Sequence, residues 1–590
     1  MKLIKKIKLT DLLTKYLESK KIKNVFSVVG GANLHIIDSL SKSKKINLTF
    51  SHHEQASALA AQSSARISKK PGVCIVTTGP GGTNAITGVL SSWQDSIPCI
   101  FISGQSKSNI LKNTKNLRQV GAQGFDIIKL IKPITKKAVS IMNADNFLDT
   151  LDELYEISIS GRPGPVWIDI PFDMQIKLIK NIKKKKTIEK NKTINSTIIK
   201  KFKFLLNSAK KPIIIAGNSI HTSNTEKQFF QFVKKLKIPN LLTWNASDLM
   251  EYKSKYNLGR PGMFGQRAAN IIIQNCDLIL ALGTHLNLAI TTPNIDNFSK
   301  NSKLILVNID KNEIQNIKKK PNLALNVDLK DFFKQVNKIR FLKTSNTSKW
   351  LDHCNILKKK LNKDYTIKYK NKIDPYLFIK ELSKSSNKEK VMVVDGGGTC
   401  NQIFFQKFEN KKKQRMIISA GICAMGSGLP DSIGAASNNK EVILICGDGS
   451  LQANIHELQT IIDNKLNIKV FIFSNNAYLS IRHTQKQFLN QNYAGSIKSG
   501  GLNLPALKDI AKSYKFNFKK FTTILDLKKN INNILKSKKP FIIEIKMPSN
   551  YEILPRMEFV KLKSGGFVSA GLENMYPFLS EEEVKLIKKF

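Results

Sequence analysis

Residues 441–478, EVILICGDGSLQANIHELQTIIDNKLNIKVFIFSNNAY, decide the fold. The apolar, β-branched run EVILIC predicts a buried parallel strand. Gly447 and Gly449 permit a tight turn, and the apolar residues of LQANIHELQTII then recur at helical spacing. IKVFIFS predicts a second strand, ending at Asn475 and Asn476. Strand, turn, helix and strand form a βαβ unit whose turn and helix N-terminus present amide donors to an anion. Asp448 within the turn implies that the anion is held through a cation. Mg2+ favours oxygen ligands: the Asp448 carboxylate, the Asn476 amide oxygen, the Tyr478 carbonyl and phosphate oxygens. A GDG alone is as often a structural turn. A GDG followed by Asn-Asn at the next strand end is far more specific.

The chain has 590 residues, enough for about three or four domains. With 41% hydrophobic and 24% charged residues it has the composition of a globular protein. A net charge of +51 raises nucleic-acid or anionic-membrane binding as alternatives. The cations are nearly all Lys, with only nine Arg, and are spread along the chain without a nucleic-acid-binding motif. The charge therefore reads as compositional bias, and no nucleic-acid partner is expected. The seven cysteines form no CxxC pair, which fits a reducing compartment. MKLIKKIKLTDLLTKYL reads as a first helix and not as a signal peptide. No run of 18 uncharged apolar residues occurs, so no membrane span is expected. The expected location is cytoplasmic.

Three α/β units follow one another, each with a doubly wound parallel sheet. The first, 1–178, carries NVFSVVG, NLTFSH, GVCIVTTG, CIFISG and GPVWIDIP. Its strand-end loops hold Gly30-Gly31, His52-His53-Glu54-Gln55, GPGGTNA beginning at Gly79, and the segment around Gln123. Such loops bind ligands in these folds. A Lys-rich linker near 183–192 precedes the second unit, 193–345, and a polar Lys-rich connector at 345–372 precedes the third, 373–552. A tail, 553–590, ends in a helical pattern, SEEEVKLIKKF. The three units could be related by duplication.

The matching segments are many and in order. They include VVGGANLHIIDSL, HHEQASALAAQSSAR, KPGVCIVTTGPGGTNAITGVLSSWQDSIPCIFISGQ, GRPGPVWIDIP, CDLILALG, SAGICAMGSGLPDSIGAA and the GDGS…NNAYLSIR stretch. By these the chain resembles the acetolactate synthase family of thiamine diphosphate (ThDP) enzymes across nearly its whole length. Such a cofactor needs a metal and amide donors for its diphosphate, a carboxylate on its aminopyrimidine, and a side chain that bends it. Glu54, at the end of NLTFSH, is the candidate carboxylate; a lone Glu there could equally be a surface cap. The small residues after it would let a helix pack closely on a neighbouring domain. Met425, on a Gly-rich loop, is the candidate support for the bend, unless it is plain packing.

The resemblance implies the following roles. Glu54 activates the cofactor, and Asp448, Asn476 and the Tyr478 carbonyl hold Mg2+. Gly79, Gly447, Gly449 and Ser450 line the cofactor. Cys423, where the family usually has Gly, contributes its carbonyl. Gly31 and Gln123 line the reaction centre. It further implies a 2-oxo acid donor, pyruvate first, a carbonyl acceptor, and a homodimer or homotetramer with its site between the first unit of one subunit and the third of another.

The departures fall on the acceptor side and on the flavin. The family's FAD-binding arginines and aspartates after ALG are replaced by Thr284-His285-Leu286-Asn287-Leu288-Ala289, so FAD is doubtful. One of those arginines also clamps the acceptor carboxylate, and its loss should weaken that acceptor's binding by a few kcal/mol. The family's tryptophan after the metal loop is absent from SIRHTQKQF, and Ala122 stands in place of a Phe. The reading is an acetolactate synthase-like enzyme that transfers a two-carbon acyl unit to a carbonyl compound. A keto-sugar acceptor or simple decarboxylation are the alternatives, with an inactive scaffold as a further one. Arg482 and His483 are candidate acceptor contacts, or Arg482 simply pairs with a carboxylate. His53 either relays protons or serves as a structural loop histidine.

Overall fold

Apolar β-branched runs alternating with helices produce three open parallel sheets, each covered by helices on both faces. The computed structural model describes residues 6–112, 117–180, 193–293, 295–341, 345–561 and 565–589. The first sheet contains β1 (Asn24–Ser27), β2 (Asn47–Phe50), β3 (Gly72–Val76), β4 (Cys99–Gln105), β5 (Lys137–Ser140) and β6 (Pro165–Pro171). Its spatial order is β2-β1-β3-β4-β6-β5, parallel throughout. The middle sheet has β7 (Pro212–Ala216), β8 (Asn240–Leu242), β9 (Leu278–Leu282), β10 (Lys303–Val307) and β11 (Leu323–Leu325), ordered β8-β7-β9-β10-β11. The third has β12 (Val391–Val394), β13 (Met416–Ile418), β14 (Val442–Gly447), β15 (Ile468–Ser474), β16 (Asn517–Phe521) and β17 (Phe541–Lys546). Its order, β13-β12-β14-β15-β17-β16, repeats that of the first sheet strand for strand.

The first and third domains meet through two helices, α1 (Glu54–Ser68) and α2 (Gly428–Ala436). Small residues along α1 permit backbone contact on several sides. A side chain begun at Gly434 would stand 2.0 Å from the Ala60 carbonyl oxygen, and one at Gly88 would stand 2.4 Å from the Ala58 methyl. Polar groups inside this contact pair across it. Gln62 Nε2 donates to Asp431 Oδ1 at 3.2 Å, and Ser63 Oγ donates to the Asp431 carbonyl at 2.5 Å. The close packing expected of the small residues after Glu54 is thus present within one chain.

Several expectations need correction. The N-terminal segment opens as a strand, Lys6–Lys8, paired antiparallel with Leu178–Lys180, and its helix is Leu9–Ser19. Lysines alternating with apolar residues suit an edge strand as well as a helix face. The connector at 345–372 contains the helix Ser345–Leu361, whose Trp350, Cys354, Leu357 and Leu361 recur every three or four residues and are buried. Its lysines masked that stripe. The helix after the GDG turn is broken into Asp448–Leu451, a 3-10 turn at Gln452–Asn454 and Glu457–Asp463. The linker expected at 183–192 lies outside the described residues. The tail forms two small antiparallel pairs and the helix Glu581–Lys588, which a Ser580–Glu583 capping box starts. Among the described residues no helix is long and apolar enough to cross a membrane, and all seven cysteines are free.

Candidate functional site

Asp448 stands where β14 ends, and its carboxylate is held by backbone alone. Oδ1 accepts from the Gly449 N–H at 2.9 Å; Oδ2 accepts from the Asn475 and Asn476 N–H groups at 2.9 and 2.6 Å. The carboxylate therefore ties the turn after β14 to the end of β15. Burial pushes its pKa up to about 6, against the downward pull of those three donors. Asn476 is exposed and sits at φ +56°, a left-handed conformation that Asn tolerates. Gly447 has an ordinary φ of −84°, so the turn does not need its conformational freedom. Gly449 is required by proximity: a side chain there would meet the Tyr478 ring at 2.1 Å.

A second acid, which the sequence analysis missed, organises the surrounding loops. Asp395 lies just beyond β12, fully buried. Its oxygens accept from Ser450 Oγ at 2.6 Å and from the N–H groups of Gly397, Gly426 and Gly428 at 3.1, 3.3 and 3.0 Å. It pulls together the loop of Met425, the glycines after β12 and Ser450. Met425 is 43% exposed, and a side chain at Gly397 would touch its Cγ at 2.5 Å. Cys423 is exposed with φ +50° on the same loop. The Asp in VVDGGG, a strand end before three glycines, was the available signal.

The first domain gathers Glu54, Gly79, Gln123 and Gly31 at the carboxyl ends of β1–β3. Glu54 begins α1, is 8% exposed, and accepts from Asn84 Nδ2 at 2.9 Å. Its other oxygen borders Gly81, where a side chain would begin 3.5 Å away. Thr77 joins the loops: the Ala32 N–H donates to its hydroxyl at 3.2 Å, and side chains at Gly30 or Gly81 would strike it. Gly79, at φ +66°, backs onto Gln123, whose own φ is +63°. Gly31 faces open space. His53 caps α1, its Nδ1 accepting from the Gln55 N–H at 3.1 Å. Glu457, fully buried in the third domain, accepts from the His52 and His53 N–H groups at 3.0 and 3.1 Å and so clamps the entry to α1. Among the described residues no hydrogen bond joins the Glu54 cluster directly to the Asp448 cluster.

Each cluster, taken by itself, has the donor types that one end of ThDP requires. A glycine at 449 that admits no side chain and the exposed Asn476 beside a buried carboxylate suit a metal-bound diphosphate. Among the described residues no group of three His, Cys, Asp or Glu is placed to hold a metal. One carboxylate with neutral oxygens leaves coordination places for ligand phosphate, as a hard cation requires. Arg482, on α3 (Leu479–Phe488), donates from Nη1 to the Ser549 carbonyl at 2.9 Å and not to a carboxylate. His483 Nε2 is buried without a hydrogen-bond partner.

A cavity of about 720 Å3 opens at the carboxyl ends of the middle sheet. It mixes three cations, Lys136, Arg162 and Lys311, with three acids, Asp95, Asp310 and Glu313. Arg162 is spent on Asp310 and Glu313 at 3.1 and 2.7 Å, and Lys136 on the Ile157 and Ser160 carbonyls. This wall does not fit a flavin diphosphate.

Comparison with known proteins agrees with this division. The N-terminal TPP-binding, central, and C-terminal TPP-binding domain models of thiamine pyrophosphate enzymes match residues 7–130, 199–336 and 396–545. The acetolactate synthase large subunit of Cyanidium caldarium is 32% identical, over 91% of this chain and 92% of its own. The probable large subunit of Methanococcus aeolicus is 30% identical over 90% and 91%, and the isozyme 1 large subunit of Escherichia coli (strain K12) 28% over 92% and 95%.

Proposed function

We infer that this chain, which belongs to the thiamine diphosphate enzymes of the acetolactate synthase large-subunit type, decarboxylates pyruvate and passes the two-carbon acyl unit to a carbonyl acceptor. When bound, ThDP supplies the nucleophilic carbon and electron sink that let a 2-oxo acid lose CO2. Glu54 takes the aminopyrimidine nitrogen, with Asn84 fixing the orientation of its carboxylate. Asp448, Asn476 and the Tyr478 carbonyl would hold Mg2+ and, through it, the diphosphate, and Ser450 and the glycines around it would line that end. Met425 would support the cofactor's ring, with the Cys423 carbonyl on the same loop. Gly31 and Gln123 border the reacting carbon and leave room for the donor. The first domain of one subunit completes the third domain of another, so the working unit is a homodimer or homotetramer.

The observation that supports this most directly is the holding of Asp448. Three backbone donors from two strand ends fix the orientation of a buried carboxylate beside the exposed Asn476, which supports the metal-holding role read for the pair. Glu54→Gln is the test. It should abolish release of 14CO2 from carboxyl-labelled pyruvate, a loss of about 10²-fold or more, while thermal unfolding stays at the wild-type temperature. Wild-type turnover in that variant would refute the assignment. Product NMR with labelled pyruvate and a panel of ketones and aldehydes identifies the acceptor, and purified protein should be colourless.

A further inference from the structure

A second cavity, of about 600 Å3, lies at the carboxyl ends of β15 and β17, directly beside Asn476. Its wall carries Lys372, Arg482, Lys498 and Lys546, and no carboxylate. Lysine abundance alone does not account for this. The larger cavity of the same chain balances three cations with three acids, whereas here four stand against none. The cations are also supported by the fold. Lys546 ends β17, and the Ile373 N–H donates to its carbonyl at 2.8 Å, which brings Lys372 alongside. Arg482 is braced by the Ser549 carbonyl, and its guanidinium lies 5.2 Å from the Tyr493 ring centroid. Its Nε is buried without a partner. In a chain with nine arginines, a braced guanidinium with donor capacity left beside a cavity is suited to an anion. The volume lies within the range of small-molecule sites.

We propose that this cavity receives the phosphate group of the acceptor, so that the carbonyl compound taking the acyl unit is a phosphate ester and not a second free 2-oxo acid. The proposal rests on the ThDP reading for its chemistry but not for its binding. Asn476 lines the cavity and is also the proposed holder of the cofactor's metal, so an anion held here lies beside the cofactor site.

The test has two arms. With ThDP, Mg2+ and pyruvate, the holoenzyme should use D-glyceraldehyde 3-phosphate about 10²-fold better in kcat/KM than D-glyceraldehyde, the discrimination expected when a phosphate has dedicated cations. Arg482→Met or Lys498→Glu should each reduce that ratio by about tenfold. Lys536→Glu, on the outer helix Ile524–Lys536, should leave it unchanged. Equal use of the two aldehydes by wild-type enzyme would overturn the proposal. In the second arm, calorimetry on the ThDP- and Mg2+-loaded protein should detect sn-glycerol 3-phosphate but not glycerol, with binding lost in Lys498→Glu. Binding that is absent, or that Lys498→Glu leaves intact, also overturns the proposal. If pyruvate is never decarboxylated, the ThDP reading fails and the calorimetric arm still decides the cavity.

Discussion

Asp431 shows how burial at one residue sets a pH dependence. It is fully buried in α2, and burial pushes its pKa up to about 8 from an ordinary 3.8. The Arg66 guanidinium and Gln62 amide pull it down, while Asp395 and Asp95 push it up. Between those two values the folded protein retains a proton that the unfolded chain has released. The stability associated with that proton is complete below about pH 4 and declines as pH rises towards 8. Asp431→Asn, neutral at every pH, should therefore gain on wild type between pH 5 and pH 8, by at most about 4 kcal/mol. Urea denaturation at both pH values measures this; a pH-independent difference would mean that the acid is ionised in place. Residues that act through distant backbone were not legible in sequence. Asp448 and Asn476 stood out because each ends a strand within one local pattern. Glu457 did not, since its partners lie about four hundred residues away, and Asp395 did not, since most of its partners lie outside its own strand–turn–helix pattern.

At the scale of elements, helix α1 carries both the catalytic candidate and the contact between two domains. Its closest approach is backbone to backbone, so no side-chain rearrangement relieves an added atom. Gly434→Ala should cost about 1–3 kcal/mol and lower the urea midpoint, although the substitution adds a single methyl. An unchanged midpoint would show that α1 and α2 can separate without loss. The central strands were readable because they are continuous apolar runs. β5 (KAVS) and β16 (NFKKF) were missed because they lie at sheet edges, half-exposed and carrying lysines that blunt both periodicity and edge pairing. The helix at 345–361 was missed for a related reason: its buried stripe is thin and its exposed faces are Lys-rich.

At the scale of the molecule, the Glu54 and Asp448 clusters lie on two domains with the same strand order. If a site combines one cluster from each subunit, two inactive variants should rescue each other. Mixing Glu54→Gln with Asp448→Asn, after denaturation and refolding together, should restore about a quarter of wild-type activity. Half of the randomly formed dimers are mixed, and each has one intact site. No recovery would mean that each site is built within one chain. The unit count and parallel-sheet class were legible from the run of strands and helices. The identity of topology between the first and third sheets was not, because strand order depends on pairing that no local pattern records.

The two halves of the protein differ in how much change they can absorb. The Asp448 turn and the α1–α2 contact are fixed by main-chain atoms, which side-chain substitution cannot retune. Arg482 and Lys498 are partly and fully solvent-facing side chains, on α3 and on the segment that follows it. If the acceptor binds against them, new acceptor preferences can accumulate between residues 480 and 500 while the catalytic frame stays as it is, and that stretch is where a redesign of product range should begin.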